Sequence, residues 1–142
     1  MRFLIAPLLS FITRGSATPA EATLYDAVMH QSSRLVTKLI KAGADLEAAD
    51  HKGQTALIFA ATTDQFRIAN KLLDAGANPF AVSDFGWTAG YAAQTSRLIR
   101  GPEFKALQVF KEKMRDCGYP LPGPDKPEIK EMVKQGKWPP KK

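Results

Sequence analysis

Asp50-His51-Lys52-Gly53-Gln54-Thr55-Ala56-Leu57-Ile58-Phe59-Ala60-Ala61 decides how the rest of the chain is read. Gly53 sits where a tight tip needs a residue that tolerates positive φ. Thr55 follows with a hydroxyl able to accept from the free N–H groups of a first helical turn. Leu57, Ala60 and Ala61 fall at i, i+3 and i+4, one face of a helix, and the alanines leave room for a second helix to approach. Downstream, Leu72-Leu73-Asp74-Ala75-Gly76-Ala77-Asn78 places a leucine pair before a glycine suited to close a helix.

Working outward, the same pattern returns at a fixed step. Gly43-Ala44-Asp45 recurs 33 residues later as Gly76-Ala77-Asn78, and Gly53 and Thr55 recur as Gly86 and Thr88. Backward by the same step, Leu24 matches Leu57, Ala27 matches Ala60, Leu35 matches Ile68, and Leu39-Ile40 matches Leu72-Leu73. Each unit reads as a tip, a first helix, a tight turn, a second helix and a closing glycine. The first helices are expected near Ala20–His30, Thr55–Thr63 and Thr88–Ser96. The second helices are expected near Arg34–Ala42, Phe66–Ala75 and Glu103–Cys117.

The third unit departs from its neighbours. Gly90 stands where Leu24 and Leu57 stand, so Gly90→Leu is expected to be neutral or stabilising if room remains. Aligning Gly118 with Gly76 gives an offset of 42, which implies about nine extra residues around Arg97–Glu103. Pro102 is placed to start a helix, and Phe104, Leu107, Phe110 and Met114 carry its apolar stripe. Arg115 takes the place of the second leucine, and Cys117 takes a position where a small buried residue belongs. Tyr119-Pro120-Leu121-Pro122-Gly123-Pro124 is expected to be extended. Pro127–Gln135 is expected to form a short helix ended by Gly136, with Ile129, Met132 and Trp138 either docking on the last repeat as a cap or serving as a peptide ligand for another domain.

With this period and these motifs, the chain resembles the ankyrin-repeat family over about Ala20–Tyr119, with repeats near 21–49, 50–82 and 83–119. The resemblance implies an all-α solenoid of stacked helix pairs with turns projecting at right angles, an atypical C-terminal repeat and a Pro-rich tail at 120–142. It also implies a non-catalytic module that binds another protein on a concave face of tips and first helices. Carried over position by position, the exposed variable residues are His51, Lys52 and Gln54 on one tip and Asp84, Phe85 and Trp87 on the next. At the ends of the first helices they are Met29 and His30, Thr62 and Thr63, and Thr95 and Ser96. Two departures bear on turn geometry: the family's histidine in the first helix is replaced by Tyr25, Ile58 and Tyr91, and its inter-helix glycine by Gln31, Asp64 and Arg97.

Among these positions, Phe85 and Trp87 are the expected anchors, because aromatic side chains dominate binding hot spots. The bland alternative is that Trp87 folds back over the third unit's first helix and hides its weak packing at Gly90. His30 and His51 are the only histidines, with no metal-ligand spacing around them, so neither a metal nor a cofactor is expected. No glycine-rich phosphate loop and no activated nucleophile is visible.

The 142 residues suffice for one modest domain, and the single cysteine excludes an internal disulfide. Net charge is +6, and half of it lies in Pro124–Lys142, where six lysines face three acids. That tail motivates the alternative of an accessory protein meeting an anionic surface, whereas nucleic acid is not expected without a folded basic stripe with stacking aromatics. Residues 1–20 contain Arg2, an apolar run Phe3–Ile12 too short to span a bilayer, and small residues Gly15–Ala20. They read as an export signal cleaved near Ala20, giving a periplasmic or secreted monomer; a capping helix in a cytoplasmic protein and an organellar presequence are the alternatives.

Overall fold

A computed structural model describes residues 22–141, and in it a threonine hydroxyl opens the first helix of every repeat. Thr23 caps α1 (Leu24–Met29), Thr55 caps α3 (Ala56–Thr62) and Thr88 caps α5 (Ala89–Thr95), each accepting from a backbone N–H three residues on. Thr23 also exchanges bonds with Asp26 in a full capping box, so α1 begins at Leu24 rather than at the expected Ala20. The second helices are α2 (Ser33–Lys41), α4 (Phe66–Asp74) and α6 (Pro102–Asp116), and a further helix, α7 (Lys126–Lys134), lies in the tail. The described residues thus hold seven helices and no strand. The expectations placed on residues 1–20 lie outside the described residues.

The helices stack in two layers. α1, α3 and α5 lie side by side, and α2, α4 and α6 lie behind them. The close approach in the first layer depends on Ala27, Ala60 and Ala93, one per repeat at the 33-residue step and all fully buried. Leu57 and Leu72 fill the centre, and Phe66 meets Phe110 at 5.5 Å in the second layer. Glu103 joins α4 to α6: one carboxylate oxygen takes the Arg67 guanidinium at 2.6 Å and the other takes the Arg67 backbone N–H at 2.9 Å. That second bond satisfies a first-turn donor in a helix whose N-cap, Gln65, makes no side-chain bond.

The inter-helix turns keep the repeat geometry without glycine. Gln31 and Asp64 both adopt left-handed φ, 54° and 58°, a conformation that disfavours a Cβ. Arg97 does not follow them: α5 ends on Ser96 in extended backbone, and the inserted stretch leads to Gly101 at φ 89° before α6.

Three expectations are corrected here. Gly90 leaves no room for leucine, because a Cβ there would lie 2.1 Å from the Tyr119 ring, which is buried in its place. The third repeat is therefore packed by Tyr119, not left loose, and it is Tyr119 rather than Trp87 that covers Gly90. Cys117 is exposed, not a small buried core thiol. The tail docks. Ile129 is fully buried, Gln94 exchanges two hydrogen bonds with the Gly123 backbone, and the Trp138 indole N–H donates to Phe80 O at 2.8 Å. Trp138 and Phe80 also pack on Tyr119, closing an aromatic cluster over the last repeat.

Candidate protein-binding face

The two tips are built alike from different side chains. At the first, Ala49 pairs with Thr55 across the turn, Gly53 takes φ 70°, and Asp50 Oδ1 accepts from the N–H groups of Lys52 and Gln54 at 2.8 and 2.9 Å. At the second, 33 residues on, Ser83 Oγ accepts from Trp87 N–H, and Gly86 takes φ 81°. The tips are joined by Asp84 N–H donating to Lys52 O at 3.0 Å. Gly86 in turn seats against Lys126 O of α7, where a Cβ would stand 2.6 Å from that oxygen. Gly86 is thus needed twice, for its φ and for a close approach, and Gly53 for its φ.

Asp50 is also an electrostatic node. Burial raises its carboxyl pKa, but bonds from the Gln54 and Lys52 amides and the Tyr25 hydroxyl outweigh that and hold it below the usual carboxylate range. The Tyr25 hydroxyl moves up, first through burial and then through the adjacent Asp50 charge. Tyr25 packs against Phe59 with tilted rings at 4.7 Å, so the first two repeats share an aromatic contact on the same side.

The expected site residues sort into two groups. Lys52, Gln54, Phe85 and Trp87, with Ser83, line a cleft of about 190 Å³ between the tips. Thr62, Thr95 and Ser96, with Trp87, line a second cleft of about 260 Å³ between α3 and α5, floored by Ala61 and Ala92. Trp87 is the wall common to both. Phe85 is 58% exposed, whereas Trp87 is half-buried, edge-on to Tyr91 at 5.3 Å. Trp87 thus lies back on α5 against Tyr91 and also lines both clefts. His51, Asp84 and Thr63 are exposed beside these clefts and line neither. Met29 and His30 end α1, exposed and apart from both clefts.

The hydroxyls facing this side are committed inward. Thr62 Oγ1 donates to Phe59 O, Thr63 to Phe59 O and Thr95 to Tyr91 O, at 2.8–3.0 Å. They therefore present methyl groups and acceptor lone pairs, not donors, to an incoming group.

Three contributors were missed. Lys126 Nζ stands 4.3 Å over the Trp87 ring, a cation–π contact from the tail that no local spacing could announce. Asp64 and Arg97 line the second cleft, and Asp64 accepts from Ser96 Oγ at 2.7 Å. Those two were visible only as replaced glycines. Among the described residues no cluster of three or more His, Cys, Asp or Glu is disposed to hold a metal ion, and His30 and His51 lie on different elements. No helix of the described residues is long and apolar enough to cross a membrane.

The comparison with known families decides what this architecture is. The family described as ankyrin repeats, in three copies, matches residues 24–101. The chain belongs to the ankyrin-repeat family. Matching begins at Leu24, the first residue of α1, and ends at Gly101, where the inserted stretch gives way to α6. Ankyrin repeats generally mediate protein–protein interaction and are typically non-catalytic. No curated protein matches the chain.

Proposed function

We propose that this ankyrin-repeat protein is a non-catalytic, monomeric adaptor or inhibitor that holds one partner protein on the face of tips and first helices. The carrying observation is the pair of clefts sharing Trp87, with Phe85 exposed at the rim of the first. Tyr91 and Lys126 pack against the Trp87 ring, contacts that restrict its rotamers before a partner arrives and so reduce the entropy lost on binding. Phe85 supplies the apolar area that an interface buries. The alternative role, in which tail lysines meet an anionic surface, has less support, because Ile129 and Trp138 commit the tail to the fold.

The test uses the partner that co-purifies with the full chain from its native source, identified by mass and re-measured as a purified protein. Phe85→Ala and Trp87→Ala should each weaken binding by about 30-fold, the scale of a hot-spot truncation. Reversal of Lys130, Lys134 and Lys137 to glutamate should change affinity little and leave the salt dependence shallow. Charge reversal replaces tail deletion here, because deletion would remove a packed cap. Binding that survives both alanine changes and is lost on charge reversal would establish the tail reading instead. For localisation we propose export, with residues 1–20 as the address. A native N-terminus mapping to residues 18–22 supports it, and retention of Met1 or Arg2 opposes it.

A further inference from the structure

Local physics does not favour a lysine at position 126. It is the first residue of α7, at the helix pole that repels a cation. The Asp125 carboxylate beside it is engaged in capping, accepting from Glu128 N–H at 3.0 Å. Lys126 makes no ion pair among the described residues. It is nevertheless half-buried, whereas Lys130, Lys134, Lys137 and Lys141 of the same tail are exposed. What it meets is aromatic. Its ammonium stands 4.3 Å from the centroid of the Trp87 ring and 5.9 Å from that of Tyr91. Both distances lie within the reach of a cation–π attraction.

The fold delivers that ammonium to a fixed place. Gln94 holds Gly123 by two hydrogen bonds on one side of Lys126, and Ile129 is fully buried on the other. Gly86, one residue before Trp87, lies against Lys126 O. The Trp138 indole N–H then fastens the end of the tail to Phe80 O. Within its own repeat, the Trp87 ring meets Tyr91 edge-on, and its backbone N–H donates to Ser83 Oγ. The preceding tip manages differently. Gln54, at the position matching Trp87, reaches Thr62 of its own repeat at 3.5 Å. The third tip takes its restraint from outside the repeats.

We propose that Lys126 is a positioning residue of the binding face. Its ammonium holds the Trp87 ring in the pose that lines both clefts, so a tail outside the three repeats sets the geometry of the anchor that a partner protein meets. Lys126 itself lines neither cleft and acts through Trp87. The proposal rests on the reading of Trp87 as that anchor. The coupling is reciprocal: a partner that requires this ring pose also strengthens the hold of Lys126 on it.

The experiment labels the full chain with 5-fluorotryptophan, which gives one fluorine resonance for each of the two tryptophans, Trp87 and Trp138. Trp138 reports whether the tail stays docked. Lys126→Met keeps the stem and removes the charge, and Lys126→Arg keeps a cation. Lys126→Met should shift and broaden the Trp87 resonance and leave that of Trp138 in place, and Lys126→Arg should restore the wild-type spectrum. Affinity for the purified partner that co-purifies with the chain should fall about two- to fivefold in Lys126→Met and recover in Lys126→Arg. In a Trp87→Ala background, Lys126→Met should have no further effect. An unmoved Trp87 resonance or an unchanged affinity in Lys126→Met, beside a weakened Trp87→Ala, would overturn this proposal alone. Trp87 and Trp138 moving together would overturn it by showing that Lys126 only holds the tail. An undiminished effect in the Trp87→Ala background would overturn it by showing that Lys126 touches the partner directly. Wild-type affinity in Trp87→Ala would overturn the binding face itself and this proposal with it.

Discussion

The middle repeat and the third repeat share a 33-residue skeleton, and they complete their cores by different means. In the middle repeat every apolar position is filled from within the repeat: Leu57, Ala60, Phe66 and Leu72 are all buried. In the third, Gly90 leaves a gap in α5, and Tyr119 fills it from beyond the end of α6. The Tyr119 hydroxyl bonds to Thr88, the residue that caps α5, so filling and capping are coupled. Burial pushes that hydroxyl's pKa up, and the bond with Thr88 partly opposes it. A terminal repeat has a neighbour on one side only, and this one is sealed on the other by its own C-terminal continuation.

That contrast is broken most severely at its intact side. Leu57→Ala and Leu72→Ala should each cost about 2–5 kcal/mol, as fully buried large-to-small changes in a short array. Chemical denaturation should show the whole array losing stability together. A loss confined to the middle repeat's amides in hydrogen exchange would show the repeats to be independent.

Gly90→Leu tests the repaired side. With Tyr119 occupying the space, the change should cost about 1–3 kcal/mol or more and expel the tail. Its signature is a fall in melting temperature accompanied by faster exchange at Ile129 and Gly123. An unchanged melting temperature would show that Tyr119 is easily displaced.

The turns extend the comparison at smaller scale. Gln31 and Asp64 hold left-handed backbone where glycine would be unstrained, while Arg97 has escaped into the insertion. Gln31→Gly should stabilise by about 0.5–1 kcal/mol, relief of backbone strain outweighing the entropy of glycine in the unfolded chain. Denaturant midpoints measure it, and a destabilised variant would mean that the Gln31 side chain contributes contacts.

The tips give the smallest effect. Asp50 makes with a carboxylate the turn that Ser83 makes with a hydroxyl. The folded-state pKa of Asp50 is depressed, so its stabilisation is complete above the unfolded value of about 3.9 and is lost as pH falls through the folded value. Asp50→Asn should therefore be slightly less stable than the wild type at pH 7, and the gap should close under acid conditions. A gap independent of pH would assign the cost to turn geometry instead of charge.

The repeat was legible because its signals are local and periodic. Gly53, Thr55 and the alanines at i+3 and i+4 each act within one turn of helix, and the 33-residue step exposes them by repetition. The same logic identified the tips and placed Phe85 and Trp87 on one of them. It failed where a residue acts over a long separation. Nothing near Gly90 announces Tyr119, 29 residues on, and nothing near Trp87 announces Lys126. Cys117 was misplaced because the position before the closing glycine is not a core position in the other repeats either: Ala42 is exposed and Ala75 only half-buried, while Met114 is buried in the register of Leu72. The start of α1 was set by the capping box at Thr23 and Asp26, a three-residue signal that is weaker than the apolar pattern around it.

The central claim is that the face shared by Phe85 and Trp87 meets a partner protein, and site-specific photo-crosslinking in the native cell tests it most directly. A photoreactive phenylalanine analogue is placed in turn at Phe85, at Thr95 and, as controls, at the exposed positions Val109 on α6 and Lys134 on α7. One covalent adduct of a single mass, formed from positions 85 and 95 and absent from 109 and 134, is the predicted result. Adducts formed from 134 and absent from 85 and 95 would contradict it and move the interface to the tail.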